Sequence, residues 1–165
     1  MSEIDLKKHA EQVKKYKREN NKFFNRLKTK TPKNINYFIN SLHDKAFEKI
    51  DCLDCANCCK TTPPIITDRD ISRISKHLKL KQGEFMQKYV LLDNDGDYIF
   101  KTTPCVFLDQ DNYCKIYEVR PKACREYPHT DSNKISLNLM KKNIEVCPAV
   151  YEMVKEMKKS KYNRS

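Results

Sequence analysis

The sequence is short of glycine and of long apolar segments. Only two glycines occur among 165 residues, which argues against the glycine-rich loops that bind the phosphates of nucleotides and dinucleotides. No apolar run approaches the roughly 18 residues that a membrane-spanning helix needs. The first twenty residues are charged throughout and lack the apolar stretch of a signal peptide. These absences argue against export and membrane insertion, so we expect a cytoplasmic location and no membrane partner.

Apolar residues are also scarce for the length of the chain. They make up 39% of the sequence, cysteine included, whereas charged residues make up 33%. The length corresponds to one ordinary domain, and this composition leaves it a thin hydrophobic core. The eight cysteines are the candidates for a further source of stabilisation. In a reducing compartment clustered thiols are more often metal ligands or catalytic groups than disulfides, so the sequence favours metal binding over redox thiols and disulfides.

The net charge of +11 is concentrated at the two ends of the chain. Residues 1–50 carry +7 and residues 148–165 carry +3, whereas residues 51–147, which include every cysteine, carry only +1. A basic end can attract nucleic acid or an acidic protein. The solvated face of a lysine-rich helix explains the same charge without a partner, and the sequence leaves both interpretations open.

Two amphipathic helices are predicted before the first cysteine. Apolar residues recur every three or four positions over residues 5–28 and again over residues 34–50, which is typical of helices with one buried face. Thr31-Pro32 interrupts the pattern between them. We therefore predict an N-terminal helical hairpin whose apolar faces close on each other or on the rest of the chain.

Short elements are predicted in the remainder of the chain. The cysteine-rich residues 51–62 are predicted to form a loop. Thr67 and Asp70 have the spacing of a helix cap, and Asp93–Asp97 is expected to be a hairpin turn. The other predicted elements are strands at 65–66, 98–101 and 106–108, and helices at 68–79, 83–91, 118–125 and 148–160. The expected fold class is α+β, mostly helical, with a small irregular metal-centred cysteine domain that contains short strands.

The cysteines are spaced as metal ligands. Four form the run C-x-x-C-x-x-C-C within eight residues and four are scattered downstream; they are Cys52, Cys55, Cys58 and Cys59, and then Cys105, Cys114, Cys124 and Cys147. A two-residue spacing lets a tight loop direct two sulfurs at one ion. Eight thiolates suffice for two closed tetrahedral sites or for one cluster plus one ion. The adjacent side chains of Cys58 and Cys59 are expected to point apart, towards two neighbouring centres, with a shared bridging role as the alternative.

The downstream cysteines belong to a second pattern. It consists of Pro104-Cys105, Phe107-Leu108, Cys114, Ile116-Tyr117, Arg120-Pro121, Cys124-Arg125, Tyr127-Pro128 and finally Cys147-Pro148. Together with the C-x-x-C-x-x-C-C run, these residues resemble the YkgJ family of cysteine cluster proteins, a zinc- or iron-chelating domain. The resemblance covers about residues 51–148 and all eight cysteines, and it implies zinc or iron as the cofactor. It does not extend to the first fifty residues.

The metal and the grouping of its ligands are left open by the sequence. Thiolate ligation suits zinc and iron–sulfur centres and disfavours magnesium and calcium. A working grouping has two centres, one with Cys52, Cys55, Cys58 and Cys147 and the other with Cys59, Cys105, Cys114 and Cys124. Cys147 lies at a predicted helix start, where the helix dipole favours the ionised form of its thiol.

Arginines and a histidine near the last cysteines are candidates for an outer shell around the metal ligands. Arg120 and Arg125 flank Cys124 and are predicted either to donate hydrogen bonds to thiolates and carbonyls or to pair with Asp or Glu. His129 is a candidate substitute or outer ligand.

The remaining histidines support no catalytic role. His9, His43 and His77 lie among charged neighbours on predicted helices and are expected at the surface. No histidine has the local pairing with a cysteine that nucleophilic catalysis requires. A thioredoxin-like C-x-x-C is disfavoured because a helix precedes the run and Pro63-Pro64 follows it.

The primary functional hypothesis is a protein that chelates zinc or iron, with an iron–sulfur cluster as one option. Eight ligands leave no obvious open position, which favours a structural or electron-carrying centre over a Lewis-acid catalyst. One alternative is an iron–sulfur enzyme with redox or methyl-transfer chemistry, since a related domain occurs in flagellin lysine methylases. Another is a zinc-stabilised module that binds nucleic acid or protein through its basic N-terminal helices. Three segments are expected: a basic hairpin (1–50), a cysteine-cluster domain (51–148), and a C-terminal helix with a basic tail (149–165).

Overall fold

The structure is a computed structural model that describes residues 4–160 and residue 162. In chain order its elements are α1 (Leu6–Thr29), α2 (Ile35–Phe47), α3 (Cys52–Cys55), α4 (Asn57–Thr61), α5 (Asp68–His77), α6 (Gln82–Tyr89), β1 (Val90–Leu92), β2 (Tyr98–Phe100), a 3-10 turn (Tyr117–Val119), α7 (Lys122–Glu126), α8 (Leu137–Asn143) and α9 (Pro148–Lys159). Helices dominate and the sheet has two strands, so the predicted class, α+β and mostly helical, is confirmed. The chain forms two compact units, one made of residues up to Cys55 and from Pro128 onward, the other of Ala56–Tyr127.

The first unit is a group of packed helices. α1 begins after Asp5, whose side chain accepts a hydrogen bond from the N–H of Lys8 at 2.9 Å. α9 begins at Pro148, a position where a missing N–H costs nothing. α1 packs against α8 and α9, and α2 packs against α9, so the apolar faces of the predicted hairpin close on the C-terminal helices. Fully buried side chains of this core include Phe24, Ile39, Val150, Val154 and Met157, and burial of each contributes about 2 kcal/mol.

The predicted surface location of the three helical histidines is correct only for His77, which is exposed. His43 is half-buried, with its Nδ1 atom 2.8 Å from the hydroxyl oxygen of Thr130. His9 is buried because it precedes Val13 by one helical turn and therefore lies on the same inward face of α1. The charged residues near His9 in the sequence lie on other faces of α1. Their charge led to the wrong prediction that His9 lies at the surface.

The second unit has its own hydrophobic core between α5, α6 and the sheet. The buried members of this core are Ile66, Ile71, Ile74, Phe85, Val90, Phe100, Phe107 and Ile116. The predicted cap of α5 is present, since Thr67 Oγ1 accepts from the N–H of Asp70 at 3.2 Å and the Asp70 carboxylate accepts from the N–H of Thr67 at 3.0 Å. β1 and β2 pair antiparallel with Val90 opposite Phe100. The Asp93 carboxylate stabilises the predicted hairpin turn by accepting from the N–H groups of Asp95 and Asp97, both at 2.9 Å.

Several predicted elements differ from the observed ones. The expected cysteine loop contains two helical segments, α3 and α4, with Ala56 between them in a left-handed conformation (φ 47°). The strand expected at residues 106–108 is reduced to an isolated bridge between Leu108 and Cys114. The helix expected at 118–125 is divided into the 3-10 turn and α7, because Pro121 disfavours helical backbone in the residue before it. The short helix α8 was not predicted.

The three-segment division of the sequence is not tested by this packing and stays a prediction.

Candidate metal centre

Three thiols of the first unit are linked electrostatically. Cys52 and Cys55 begin and end α3, and Cys147 directly precedes α9. The pKa of Cys147 is raised to about 12, chiefly by burial, and the charges of Cys52 and Cys55 add to the increase. Hydrogen bonds from the backbone of Val150 and Ala149 oppose it. The helix start therefore favours the Cys147 thiolate, as the sequence predicts, but burial outweighs that effect.

Four thiols of the second unit are also linked electrostatically. The pKa of Cys124 is raised to about 12 by burial first and then by the charges of Cys59, Cys105 and Cys114. Burial followed by the charges of Cys59 and Cys114 raises the pKa of Cys105 to about 11. The pKa of Cys114 is also raised by burial and by Cys59. The charge of Cys59 thus acts on the other three thiols, and we refer to Cys59, Cys105, Cys114 and Cys124 as the four-thiol cluster.

Backbone contacts bring the members of the four-thiol cluster together from distant parts of the sequence. The N–H of Cys105 donates to the carbonyl oxygen of Cys59 at 2.8 Å. Cys114 pairs with Leu108 in the isolated bridge, and the N–H of Leu108 donates to the carbonyl of Cys105 at 3.0 Å. Cys124 is carried by α7. One backbone network therefore links three of the four residues, and a separate helix supplies the fourth.

Cys58 and Cys59 interact with each other, and the expectation that their side chains point towards two centres stays a prediction. A hydrogen bond from the Cys58 side chain lowers the pKa of Cys59 to about 7, and the nearby Lys60 cation contributes in the same direction. Both residues lie on α4. Among the thiols of the four-thiol cluster, Cys59 is therefore the one that ionises near neutral pH.

The donor set suits a thiophilic metal. No three His, Cys, Asp or Glu side chains within residues 4–160 and 162 are already arranged to hold an ion. None of the eight cysteines forms a disulfide bond, and burial and mutual repulsion both disfavour several thiolates close together. A bound cation removes that repulsion and displaces the thiol protons. Sulfur donors select zinc and iron–sulfur centres.

The two arginines predicted to support the ligands donate to backbone carbonyls. Arg120 Nη1 donates to the carbonyl of Tyr117 at 2.7 Å, and its guanidinium carbon lies 3.8 Å from the centroid of the Tyr117 ring. Arg125 Nη1 donates to the carbonyl of Arg120 at 2.8 Å. The charge of Arg120 also lowers the pKa of Cys114 and of Cys124, against the larger opposing effect of burial. His129 is half-buried in the first unit with a left-handed backbone (φ 61°), and its ligand role stays a prediction.

Sequence reasoning identified Asp70 only as part of a helix cap and gave no role to Arg73. In the structure both residues also bond to the segment that carries Cys124. The signal available in the sequence was the T-x-x-D spacing, which reports the local cap but not a partner 52 positions away.

The outer face of α1 is basic. Lys14, Lys15 and Arg18 are exposed, whereas Lys17 forms an ion pair with Glu145 at 3.0 Å. Among the described residues, none of the helices combines the length and the apolar character needed to cross a membrane.

Comparison with known proteins points to the cysteine region. A protein-family model named CxxCxxCC and described as "Putative zinc- or iron-chelating domain" matches residues 51–149. A curated relative from Methanocaldococcus jannaschii, named "Uncharacterized protein MJ0661", is 35% identical over 82 residues, which cover 48% of this chain and 44% of the relative. The chain thus spans less than half the length of that relative. No solved structure matches the chain.

Proposed function

Since this chain belongs to the CxxCxxCC family, we propose that it binds zinc or iron through its eight cysteines, divided between two thiolate centres. The observation that carries the proposal is the four-thiol cluster, whose members come from four separate stretches of the chain: a backbone hydrogen bond of 2.8 Å joins Cys105 to Cys59, and the charge of Cys59 raises the pKa values of the other three thiols. Four thiolates match the number of ligands in a closed tetrahedral site. Such a cluster is stabilised by a cation, which is the chemistry that the family description names.

The second centre of the proposal contains Cys52, Cys55 and Cys147. The effect of Cys52 and Cys55 on the pKa of Cys147 supports their grouping. A closed tetrahedral site needs a fourth ligand, and the C-x-x-C spacing assigns Cys58 to it. This fourth assignment rests on the sequence alone.

The metal is proposed to support the fold rather than to activate a substrate. With eight thiolates in two closed sites, no coordination position is left for a substrate or a water molecule. Metal binding then contributes folding free energy directly, which compensates for the thin hydrophobic core. An iron–sulfur centre in the same ligand set would carry electrons instead. The proposal includes a reducing, cytoplasmic location, because thiols there remain available as ligands.

Metal analysis of the purified protein tests this proposal. Parallel aerobic and anaerobic preparations would be examined by elemental analysis, sulfide determination and visible spectroscopy. A colourless protein with about two zinc ions indicates two tetrathiolate sites, and a brown protein with iron and sulfide indicates an iron–sulfur centre.

Substitutions test the ligand assignment. Cys124→Ser and Cys55→Ser should each lower the metal content by about one site. Thr61→Ser is the matched control, because Thr61 lies in the cysteine segment and its hydroxyl donates only locally, to the carbonyl of Asn57 at 2.7 Å. The proposal is wrong if the protein neither contains nor takes up zinc or iron, or if both cysteine variants keep the full metal content.

A second candidate function is binding of an acidic partner through α1, favoured by the exposed cations Lys14, Lys15 and Arg18. Replacing all three by Glu should weaken binding to a short nucleic acid, and the affinity of the parent protein should fall steeply with salt. The matched control replaces three exposed lysines outside α1, Lys88, Lys115 and Lys134, by Glu. Equal losses in both triple variants would indicate a general charge effect and contradict a specific role for α1.

A further inference from the structure

We propose that Asp70 and Arg73 of α5 are positioning residues for the ligand Cys124, because they fix the start of α7 through bonds that do not involve metal. The role of Cys124 as a metal ligand rests on the proposed function. The hydrogen bonds by which Asp70 and Arg73 fix α7 can be tested on the metal-free protein.

The Asp70 carboxylate bonds to two helices at once. Its side chain is only 1% exposed. One oxygen accepts from the N–H and the hydroxyl of Thr67, at 3.0 and 2.7 Å, and so caps α5. The other oxygen accepts from the N–H of Lys122 at 3.1 Å and from Arg73 Nη2 at 2.7 Å. Lys122 is the first residue of α7, so the same carboxylate caps the helix that carries Cys124.

Arg73 holds the residue that precedes α7 by two positions. Its Nη2 atom donates to the carbonyl oxygen of Arg120 at 2.9 Å. Arg125 Nη1 donates to the same oxygen at 2.8 Å. Arg73 therefore links the backbone before α7 to α5, and Arg125 links the same backbone to α7 itself.

α7 needs this support because it is only five residues long, far below the length at which a helix is stable by itself. Its N-cap residue is Pro121, whose side chain provides no capping hydrogen bond. The N–H of Cys124 donates to the carbonyl of Pro121 at 3.0 Å. The position of Cys124 thus follows from that of residues 120–122, which Asp70 and Arg73 fix.

The first test uses metal-free, reduced protein and measures the rate at which Cys124 is alkylated by iodoacetamide, with the modified residue identified by mass spectrometry. Asp70→Asn has one acceptor oxygen in place of two and cannot cap both helices. We expect alkylation of Cys124 to become about tenfold faster, the effect of losing one hydrogen bond to a charged group. Arg73→Lys, which keeps the cation but loses the planar fork, should give a smaller increase.

Ile74→Val is the control for general destabilisation. Ile74 is fully buried on the same helix, and its side chain makes no polar contact. The alkylation rates are compared at urea concentrations that give the two variants the same free energy of unfolding. If Ile74→Val then accelerates alkylation of Cys124 as much as Asp70→Asn does, the positioning role is wrong. An unchanged rate of Cys124 alkylation in Asp70→Asn would also contradict the positioning role.

The second test separates this inference from the proposed function. Zinc affinity is measured by competition with a chromophoric chelator for the parent, Asp70→Asn and Ile74→Val proteins. We expect zinc binding by Asp70→Asn to be tenfold to a hundredfold weaker, as is typical when a residue that orients a metal ligand is replaced, and Ile74→Val to change it little. Tight binding by the parent with equal affinity in Asp70→Asn overturns the positioning role alone. Failure of the parent to bind metal overturns the proposed function, while the alkylation result still decides whether Asp70 fixes α7.

Discussion

The imidazole of His9 packs edge-on against the ring of Tyr151, with the ring centroids 5.6 Å apart and the planes at 81°. The contact joins α1 to α9 inside the first unit, where His9 is only 8% exposed. Burial lowers the pKa of His9, and this effect outweighs the opposing influence of the Glu145 backbone and the Glu152 carboxylate. A histidine buried in its neutral form makes the packing of these two helices sensitive to pH.

The first prediction is that the metal-free protein loses stability as the pH falls below about 6.5, the ordinary histidine pKa. Below that value the unfolded chain takes up a proton on His9 more readily than the folded chain does, so protonation favours unfolding until the lower folded pKa is reached. Urea unfolding at pH 7.5 and at pH 5.5 measures the effect. His9→Gln should reduce the difference between the two pH values, whereas His77→Gln, at an exposed site, should leave it unchanged. Equal pH dependence in the parent and in His9→Gln would contradict the assignment.

The second prediction concerns the end of α5. Lys79 has a left-handed backbone (φ 56°). Its N–H donates to the carbonyl oxygen of Lys76 at 3.1 Å, and the N–H of Leu80 donates to the carbonyl oxygen of Ser75 at 2.9 Å. This is the Schellman arrangement, in which glycine is preferred at the left-handed position. Lys79→Gly should therefore raise the free energy of unfolding by about 0.5–1 kcal/mol.

Lys76→Gly is the matched control for that substitution. Lys76 lies inside α5, where glycine costs about 1 kcal/mol relative to alanine. Chemical denaturation should therefore give opposite signs for the two glycine variants. The same sign for both would show that the conformation of Lys79 is not as described.

The third prediction is that thiol reactivity differs among the cysteines of the metal-free protein at pH 7. Cys59, with its pKa lowered to about 7 by the Cys58 hydrogen bond, should react first with iodoacetamide, because the thiolate is the nucleophile. Cys124, whose pKa is raised to about 12 chiefly by burial, should react last within the four-thiol cluster. Cys58→Ala should slow the reaction of Cys59, and mass spectrometry of early time points would show it. An unchanged rate in that variant would contradict the role of Cys58.

The fourth prediction is that zinc affinity falls steeply with decreasing pH. The pKa values of Cys105 and Cys124 lie at about 11 and about 12, so metal must displace protons from these thiols near neutral pH. Each displaced proton lowers the apparent affinity by about tenfold for each unit of pH decrease. Competition titrations between pH 8 and pH 6, with proton release followed in weak buffer, would measure this. Affinity independent of pH would contradict thiol ligation.

The fifth prediction concerns removal of the metal. A strong chelator should lower the melting temperature and expand the protein, because the metal contributes to the folding free energy. Circular dichroism and size-exclusion chromatography of the same sample before and after stripping measure both effects. An equally compact and equally heat-resistant metal-free protein would show that the hydrophobic cores suffice.

The sequence by itself determined the features that depend on residues close together in the chain. The three-to-four-residue spacing of apolar side chains specified α1 and α2, Thr67 and Asp70 specified the cap of α5, and the turn containing Gly96 specified the hairpin. The C-x-x-C-x-x-C-C run and the downstream cysteines also carried the resemblance to the family, because each motif can be recognised without knowledge of the fold.

Only the tertiary structure decided the relationships that join distant segments. Local sequence does not reveal that His9 faces α9, that Asp70 caps a helix 52 residues later, or that Cys59 and Cys105 share a backbone hydrogen bond. The helices at Cys52–Cys55 and Asn57–Thr61 were missed for the same reason, since segments of four or five residues are too short to be helical from their own propensity. Local pattern fixes the conformation of each segment, whereas burial and hydrogen bonds between segments fix the partner of each polar group.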